Sequence, residues 1–324
     1  MQTPFRIDVH HHILPPVYVQ TLKRLGQDKS GGAPIPDWSA EQAIALMDKV
    51  GIQKALASIS SPGIYFGDQA LTTDLARQCN EFSAQLVRQH PDRYSALGIL
   101  PLPDADAALT ELAYLMDRLS LPDKSLPGKS LPGIILQASV GNQYQGDPAW
   151  EAVYAELDRR GAVVLLHPTT PPGSDVPELD LPPFLVEFMI DTTRAIANLI
   201  YQGVLERYPN IRWIVAHAGG TAPYLVERFE MGETIMPHLR EKAPKGARTY
   251  LRQLHYDTTT AANPTVLSAL RTVADIDRIL FGSDYPYMQE PLIRQEEQGL
   301  ADYDGFDEPT KQAINRDNAL RLLS

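Results

Sequence analysis

AVVLLH, residues 162–167, is an apolar run that ends in a histidine. Strands that are apolar at every position are typical of parallel sheets, in which both faces are covered. Two amphipathic segments flank the run: PAWEAVYAELDRR lies between Asp147 and Gly161, and TTRAIANLIYQGVLERY ends before Pro209. Such turn residues mark helix boundaries. The region therefore predicts a helix, a buried parallel strand and a second helix.

The same alternation extends over the whole chain. Seven further runs read as strands: FRIDVH (5–10), KALASIS (54–60), YSALGIL (94–100), GIILQAS (133–139), IRWIVAH (211–217), LHYDTT (254–259) and RILFGSD (278–284). Eight strands that alternate with helices predict a (β/α)8 TIM barrel, with 1–324 as one domain. A doubly wound open sheet is the alternative fold, but it rarely needs eight strands and no GxGxxG follows the first strand.

Three other segments carry local signals. Ser39 followed by Gln42 is a capping-box arrangement that predicts a helix start, and Gly51 closes that helix. Residues 14–38 are rich in Pro and Gly, which indicates a long loop or a small insertion after the first strand. SLPDKSLPGKSLPG (120–133) repeats a short unit in tandem, and we interpret it as a duplicated surface loop without a function of its own.

Composition narrows the class of ligand. The chain has 324 residues and a formal net charge of −11, which disfavours a nucleic-acid partner. No apolar stretch is long enough to span a bilayer, and no basic region precedes an apolar run at the N-terminus, so we expect no membrane association and a cytoplasmic protein. The single cysteine, Cys79, excludes an internal disulfide and fits a reducing compartment. A small molecule is the expected ligand.

Polar side chains collect at the carboxyl ends of the predicted strands, where barrel enzymes carry their chemistry. His10 and His12 end strand one, His167 ends strand five, His217 ends strand six and Asp284 ends strand eight. Imidazole and carboxylate groups in this combination suit Zn²⁺, or Mn²⁺ if other oxygens complete the shell. The pattern predicts a metal site.

Alternation along a strand decides which histidines converge. His10 and His12 share one face and His11 points to the other, so only the first two can reach one ion. Taken alone, the HxH motif could also be a structural pair of hydrogen-bonded histidines in the core. The motifs at the ends of strands five, six and eight argue against this structural role. His90, His238 and His255 lie away from these strand ends and are expected to be surface or packing residues.

The motifs IDVHHHILP, LLHP, IVAHAGG and ILFGSDYP together resemble the amidohydrolase superfamily. They are most similar to its branch of metal-dependent, non-oxidative decarboxylases, which act on aminocarboxymuconate semialdehyde, γ-resorcylate or 6-methylsalicylate. The resemblance implies metal ligands at His10, His12, His167 and Asp284. It also implies that His217 acts beside the metal as an acid/base or polarising group, and that Asp284 is the main proton donor for aromatic substrates.

Three further expectations come from the resemblance. Arg228, eleven residues after His217, matches an arginine that binds a substrate carboxylate across a homodimer interface; an ordinary helix-surface arginine is the alternative. Binuclear relatives carry a lysine at the end of strand four, where this chain has Gln137, so we expect one divalent ion. The first helix, EQAIALMD (41–48), lacks a second substrate arginine, which favours a monocarboxylate of the salicylate type, 6-methylsalicylate among them.

These observations predict a decarboxylase of a small aromatic acid. Aromatic residues that could enclose its ring are Trp38, Tyr65, Phe66, Phe184, Phe188 and Tyr285. The same ligand set would also serve a hydrolase of a lactone or amide, because a bound ion lowers the pKa of its water. A non-catalytic metal-binding barrel is the third alternative, and it would show a closed ligand shell.

Overall fold

The computed structural model describes residues 5–123, 128–171 and 180–324. Eight parallel strands form one sheet in which each strand pairs with its neighbour in the chain. They are β1 (Arg6–His12), β2 (Ile52–Ser58), β3 (Tyr94–Ile99), β4 (Gly133–Gln137), β5 (Val163–His167), β6 (Arg212–Val215), β7 (His255–Asp257) and β8 (Ile279–Leu280). This confirms the predicted (β/α)8 barrel, and every residue of β1 and β5 is buried.

Helices surround the sheet. They are α1 (Pro16–Arg24), α2 (Ala40–Lys49), α3 (Gln69–Gln89), α4 (Ala105–Tyr114), α5 (Glu151–Arg160), α6 (Pro183–Tyr201), α7 (Val204–Arg207), α8 (Ala222–Ile235), α9 (Ala247–Gln253), α10 (Pro264–Leu270), α11 (Glu290–Asp302), α12 (Glu308–Gln312) and α13 (Asn318–Leu323). Within the described ranges, no helix combines the length and the apolar character that crossing a bilayer requires.

The last and first strands close the barrel through the segment after β8. The amide of Val9 donates to the carbonyl of Phe281 (3.0 Å), and the amide of Asp284 donates to the carbonyl of His10 (2.7 Å). The buried carboxylate of Asp8 accepts hydrogen bonds from the amide (3.0 Å) and hydroxyl (2.6 Å) of Ser283. Because these hydrogen bonds join β1 to the segment after β8, Asp284 lies directly beside the histidines of β1.

Several helix boundaries follow the predicted caps. The Ser39 hydroxyl accepts from the Gln42 amide, and Gly161 ends α5 in the left-handed conformation. The predicted bounds of the helix over 192–208 were wrong. It begins at Pro183 instead, because apolar spacing continues upstream, and it breaks at Gly203, whose φ of 74° is left-handed.

The insertion after β1 is more ordered than a loop. Residues 14–38 contain α1 and a two-stranded antiparallel hairpin, Lys29–Ser30 with Ala33–Pro34, which we call the β1 hairpin. A second hairpin, Ser139–Val140 with Gln143–Tyr144, follows β4. The tandem repeat at 120–133 lies partly outside the described residues; its described ends meet at a bridge between Pro122 and Lys129, just before β4.

Candidate metal centre and active site

Four side chains converge at the carboxyl end of the barrel. Ligand atoms of His10, His12, His167 and Asp284 all lie within 4.8 Å of one another. Nε2 of His10 is 3.0 Å from Nε2 of His12, and Oδ1 of Asp284 is 3.5 Å and 3.2 Å from these two atoms. The three histidines are buried. The structure thus brings together the four residues that the sequence analysis predicted as metal ligands.

Contacts behind the histidines turn their Nε2 atoms toward the centre. Nδ1 of His10 donates to Oδ2 of Asp257 (2.7 Å), and Nδ1 of His167 donates to the carbonyl of Pro168 (2.7 Å). Nδ1 of His12 is 3.1 Å from the Ser58 hydroxyl. Partners of this kind set the tautomer and orientation of histidines that bind metals.

The donor set fits a divalent cation. His167 Nε2 and Asp284 Oδ1 are buried and have no hydrogen-bond partner among the described residues. Buried polar atoms are rarely left unpaired, and here their lone pairs face one small volume. Three imidazoles and one carboxylate suit Zn²⁺ or Mn²⁺. At the corresponding end of β4 stands Gln137, which offers no carboxylated lysine to bridge a second ion.

Electrostatics at the centre also favour positive charge. Burial opposes protonation of His10, but the carboxylates of Asp257 and Asp284 outweigh it and raise the pKa of His10 to about 9. Burial lowers the pKa of His12, and burial together with the neighbouring histidines holds the pKa of His167 well below its ordinary value. Burial alone would raise the pKa of Asp284, yet His10 and His12 keep it far below the usual carboxyl range.

The middle histidine of the triplet faces the opposite side of β1, as predicted. His11 is fully buried, its Nδ1 lies 3.0 Å from Oδ2 of Asp8, and its ring packs on Tyr285 with centroids 5.1 Å apart. It is not among the groups that converge on the metal centre. The alternation of the strand therefore separates one packing histidine from two ligands.

His217 lies beside the four ligands and not within the set. Its ring centroid is 5.1 Å from that of His10, and its Nδ1 is 3.3 Å from the Thr260 hydroxyl. The residue has a φ of 53° and sits in a turn just after β6, so the predicted strand over 211–217 ends two residues early. Left-handed backbone at a residue other than glycine is costly and clusters at functional sites. Burial lowers the pKa of His217, which favours its neutral ring.

Sequence reasoning missed Asp257, the last residue of β7. Its Oδ2 accepts from His10, while its Oδ1 accepts from the amide of His217 (2.9 Å) and from that of Thr259 (3.1 Å). One carboxylate thus orients a metal ligand and the histidine beside the metal. The available signal was its position: Asp257 is a carboxylate at the end of a barrel strand in LHYDTT, as Asp284 is in RILFGSD.

A cavity of about 250 Å³ opens above the ligands, and we call it the metal pocket. Its floor includes His167, His217 and Asp284, and its walls are mainly apolar. The wall residues are Ala33, Phe184, Phe188, Met189, Tyr287, Met288 and Leu292. The ring of Tyr287 packs edge-on against His12, with centroids 5.9 Å apart. Apolar walls with a few polar groups that converge on one side are typical of pockets for small molecules.

Comparison with known proteins agrees with this geometry. The sequence profile of the amidohydrolase family matches residues 7–324. The chain belongs to the amidohydrolase family. The 6-methylsalicylic acid decarboxylase of Penicillium expansum is 33% identical over 98% of this chain and 96% of its own. The crystal structure of an amidohydrolase II superposes with a TM-score of 0.89 at 32% identity, covering 98% of this chain and 99% of that one.

A third comparison shows the fold alone, because the identity is 19%. It is a dihydroxybenzoic acid decarboxylase from Polaromonas, solved with bound manganese and the inhibitor 2-nitroresorcinol; it superposes on this amidohydrolase with a TM-score of 0.80, covering all of this chain and 97% of that one.

The predicted aromatic residues divide among four places in this amidohydrolase. Phe184 and Phe188 line the metal pocket, whereas Tyr65 and Phe66 line a neighbouring cavity. Trp38 packs on Phe82, and Tyr285 packs on His11. Tyr287, which the sequence did not single out, contributes the aromatic ring closest to the metal ligands of β1.

Arg228 lies on α8, away from the metal pocket of its own chain. It is exposed, and among the described residues none accepts a hydrogen bond or forms an ion pair with it. Of the remaining histidines, His238 is exposed, and His255 is buried against the carbonyl of Trp213 (3.1 Å).

Proposed function

We propose that this amidohydrolase is a metal-dependent, non-oxidative decarboxylase of a small aromatic carboxylic acid, with a hydroxyl next to the carboxyl as in salicylates. One observation carries the proposal: three histidines and one aspartate converge on the floor of a pocket whose walls are mainly apolar and partly aromatic. The similarity over 98% of the chain to the 6-methylsalicylic acid decarboxylase of Penicillium expansum supports this substrate class, with 6-methylsalicylate as one candidate.

His10, His12, His167 and Asp284 would hold one divalent ion. When bound, such an ion would supply positive charge to the carboxylate and the adjacent phenolic oxygen of the substrate. The nitrogen-rich donor set suits Zn²⁺, whereas manganese in the Polaromonas decarboxylase favours Mn²⁺. We propose one ion per chain, since Gln137 replaces the lysine that a second would need.

The side chains around this centre account for proton transfer. Asp284 takes the phenolic proton as the substrate binds and returns it to the ring carbon that carries the carboxylate. The bond to the carboxylate then breaks, CO₂ leaves and the ring regains its aromatic electrons. Since Nδ1 of His217 is held by Thr260, its Nε2 remains to hydrogen-bond the substrate's acidic edge. Phe188 and Tyr287 enclose the ring and exclude water.

We further propose a homodimer in which Arg228 serves the partner's active site. Tyr224, Arg228, Met231 and Ile235 follow the spacing of one helical face of α8, whereas Val226 and Glu233 on the opposite face are buried. Tyr224 is 81% and Ile235 69% exposed. Large apolar side chains on the outer face of a helix indicate a protein contact, and a second copy would cover them while receiving the arginine.

We also propose a cytoplasmic location. Cys79 is a free thiol buried within α3. Burial raises its pKa to about 12, so the thiol is inert and needs no oxidising compartment.

The test measures CO₂ release. Metal-free protein is reconstituted with Zn²⁺ or Mn²⁺ and incubated with a panel of salicylates, lactones and amides. We expect CO₂ from salicylates, saturation near one metal per chain, and no turnover by His167→Ala. Acid production from a lactone or amide without CO₂ would instead indicate a hydrolase. Tight metal binding without turnover of any compound would indicate a non-catalytic barrel.

A further inference from the structure

A second, larger cavity of about 610 Å³ lies beside the metal pocket at the same end of the barrel. The β1 hairpin separates the two: Ser30 and Ala33 line the metal pocket, whereas Gly31 and Gly32 line the larger cavity. Its inner wall is formed by the ends of β3 and β4, the segment after β2 and the hairpin after β4. This wall is mostly apolar and includes Ile64, Ile99, Leu100, Ile135 and Val140.

Gln137 is the exception in this apolar wall. It ends β4 and is 7% exposed, and neither Oε1 nor Nε2 of its amide has a hydrogen-bond partner among the described residues. Two other polar side chains of this wall are paired: the Ser139 hydroxyl donates to Asp191 (3.4 Å), and the Thr169 hydroxyl is 3.3 Å from that of Ser61. Whichever way the amide is turned, it presents one unpaired donor and one unpaired acceptor.

The backbone holds Gln137 in this place. Its carbonyl accepts from Nε2 of Gln145 (2.9 Å), and its side chain lies along Gly63, where a Cβ would stand 3.1 Å from its Cγ. Gly63 has a φ of 78°, which favours glycine and leaves room for the amide. The unpaired amide is therefore a fixed feature of the wall.

Gln137 is also next to the metal centre. It pairs in register with His167 on the adjacent parallel strand. Register partners on neighbouring strands lie about 4.8 Å apart and point to the same face of the sheet. The side chain of Gln137 thus starts one strand away from a metal ligand and on the same face of the sheet, although it lines the larger cavity and not the metal pocket. An aromatic ring whose carboxylate is at the metal would reach the amide by extending from the metal pocket past the β1 hairpin.

We propose that Gln137 determines substrate specificity by hydrogen-bonding a hydroxyl group on the ring of the aromatic acid, at a position away from the metal-bound edge. A hydroxyl both donates and accepts, as the amide requires, and a methyl group of similar size would leave the amide unpaired. Sites built around such a hydrogen bond reject the analogue that lacks it far more strongly than an apolar pocket distinguishes two alkyl groups. The inference rests on the proposed function and adds a preference for dihydroxybenzoic over methylsalicylic acids.

The experiment compares matched pairs of substrates. The two members of a pair are salicylates that carry either a hydroxyl or a methyl group at the same ring position. There are four pairs, one for each of ring positions 3 to 6. The proteins are wild type, Gln137→Leu, Gln137→Met in case leucine disturbs folding, and Gln53→Leu as a control at an exposed glutamine on β2. The readouts are kcat/KM for CO₂ release and Kd from titration calorimetry of the metal-loaded protein.

We expect wild type and Gln53→Leu to prefer the hydroxylated member of at least one pair by about tenfold or more in both readouts. In Gln137→Leu and Gln137→Met this preference should disappear while the methylated member binds as well as before. An unchanged preference in both Gln137 variants, or none in wild type, would overturn the inference. If no acid releases CO₂, the proposed function fails, and the Kd values alone decide the role of Gln137. Absence of binding by every acid would overturn both.

Discussion

At the scale of single residues, the triplet His10–His11–His12 shows how one strand serves two purposes. Two rings meet at the metal centre, with Nε2 atoms 3.0 Å apart, while the third packs between β1 and the segment after β8. The division requires nothing beyond the alternation of side chains along a strand.

Substitutions at the three histidines should therefore have different effects on metal binding and on stability. We expect His10→Ala or His12→Ala to remove most bound metal and activity. His11→Ala should retain the metal but destabilise the fold by about 2–4 kcal/mol, since it leaves a cavity and removes a partner of Asp8. Metal analysis of the folded fraction and urea unfolding measure the two effects. Equal loss of metal in all three variants would contradict this assignment.

Asp257 offers a second prediction at this scale. Asp257→Asn keeps the shape of the side chain but replaces one acceptor oxygen with a donor, so it cannot satisfy His10, His217 and Thr259 together. Loss of such an outer partner reduces metal affinity about 10- to 100-fold, and competition with a chelator would measure this. Asp277→Asn, at an exposed carboxylate before β8, is the control. Equal affinity in both variants would show that Asp257 does not support the centre.

At the scale of elements, α6 is joined to the ends of β4 and β5 by one buried carboxylate. Asp191 on α6 accepts from the amide of Thr169 (2.9 Å) and from the hydroxyl of Ser139. Burial outweighs these hydrogen bonds and raises the pKa of Asp191 to about 6. The helix that supplies Phe184 and Phe188 to the metal pocket is thus tied to the barrel by a group that titrates in weak acid.

This pKa predicts a dependence of stability on pH. An unfolded aspartate has a pKa near ~3.9, so between roughly pH 4 and 6 the folded protein retains a proton that the unfolded chain has lost. The contribution of Asp191 is therefore fully present below about pH 4 and is lost as the pH rises to 6, by about 2–3 kcal/mol. Asp191→Asn should remove this part of the pH profile in urea unfolding, and the exposed control Asp304→Asn should not. Parallel profiles for all three proteins would refute the assignment.

At the scale of the whole molecule, closure of the barrel assembles the site. Hydrogen bonds between β1 and residues 281–285 bring Asp284, near the end of the chain, to the histidines at its beginning. The outer face of α8 then presents Arg228 between Tyr224 and Met231, outside the pocket of its own chain. The proposal that Arg228 of a second chain completes the active site can therefore be tested.

Mixed dimers test it directly. Arg228→Ala should reduce kcat/KM by about 1.5–3 kcal/mol, the range for hydrogen bonds to charged groups, without changing metal content or melting temperature. Arg228→Lys should lose most of the same energy because it lacks the guanidinium fork. Mixing Arg228→Ala with the metal-deficient His167→Ala should restore activity, since one site of each hybrid dimer receives both intact parts. Absence of rescue would mean that the arginine acts within its own chain or has no part in the reaction.

The sequence alone was sufficient to predict the barrel and the convergence of His10, His12, His167 and Asp284. Apolar runs such as AVVLLH that alternate with helical segments predict buried parallel strands. The carboxyl ends of such strands meet at one rim in a barrel, so the sequence predicts that His10, His12, His167 and Asp284 approach one another. Local chemistry was also sufficient for the caps at Ser39 and Gly161, because these depend on neighbours within a few residues.

Tertiary structure alone decided what surrounds those ligands. The bonds from Asp257 to His10 and His217 join residues 247 and 40 positions apart, and the unpaired amide of Gln137 is visible only once its neighbours are known. The left-handed turn at His217, whose amide donates to Asp257, likewise depends on a contact between elements. Sequence periodicity reports which face of an element is buried, whereas the partner that a buried polar group meets is set by the contacts between elements.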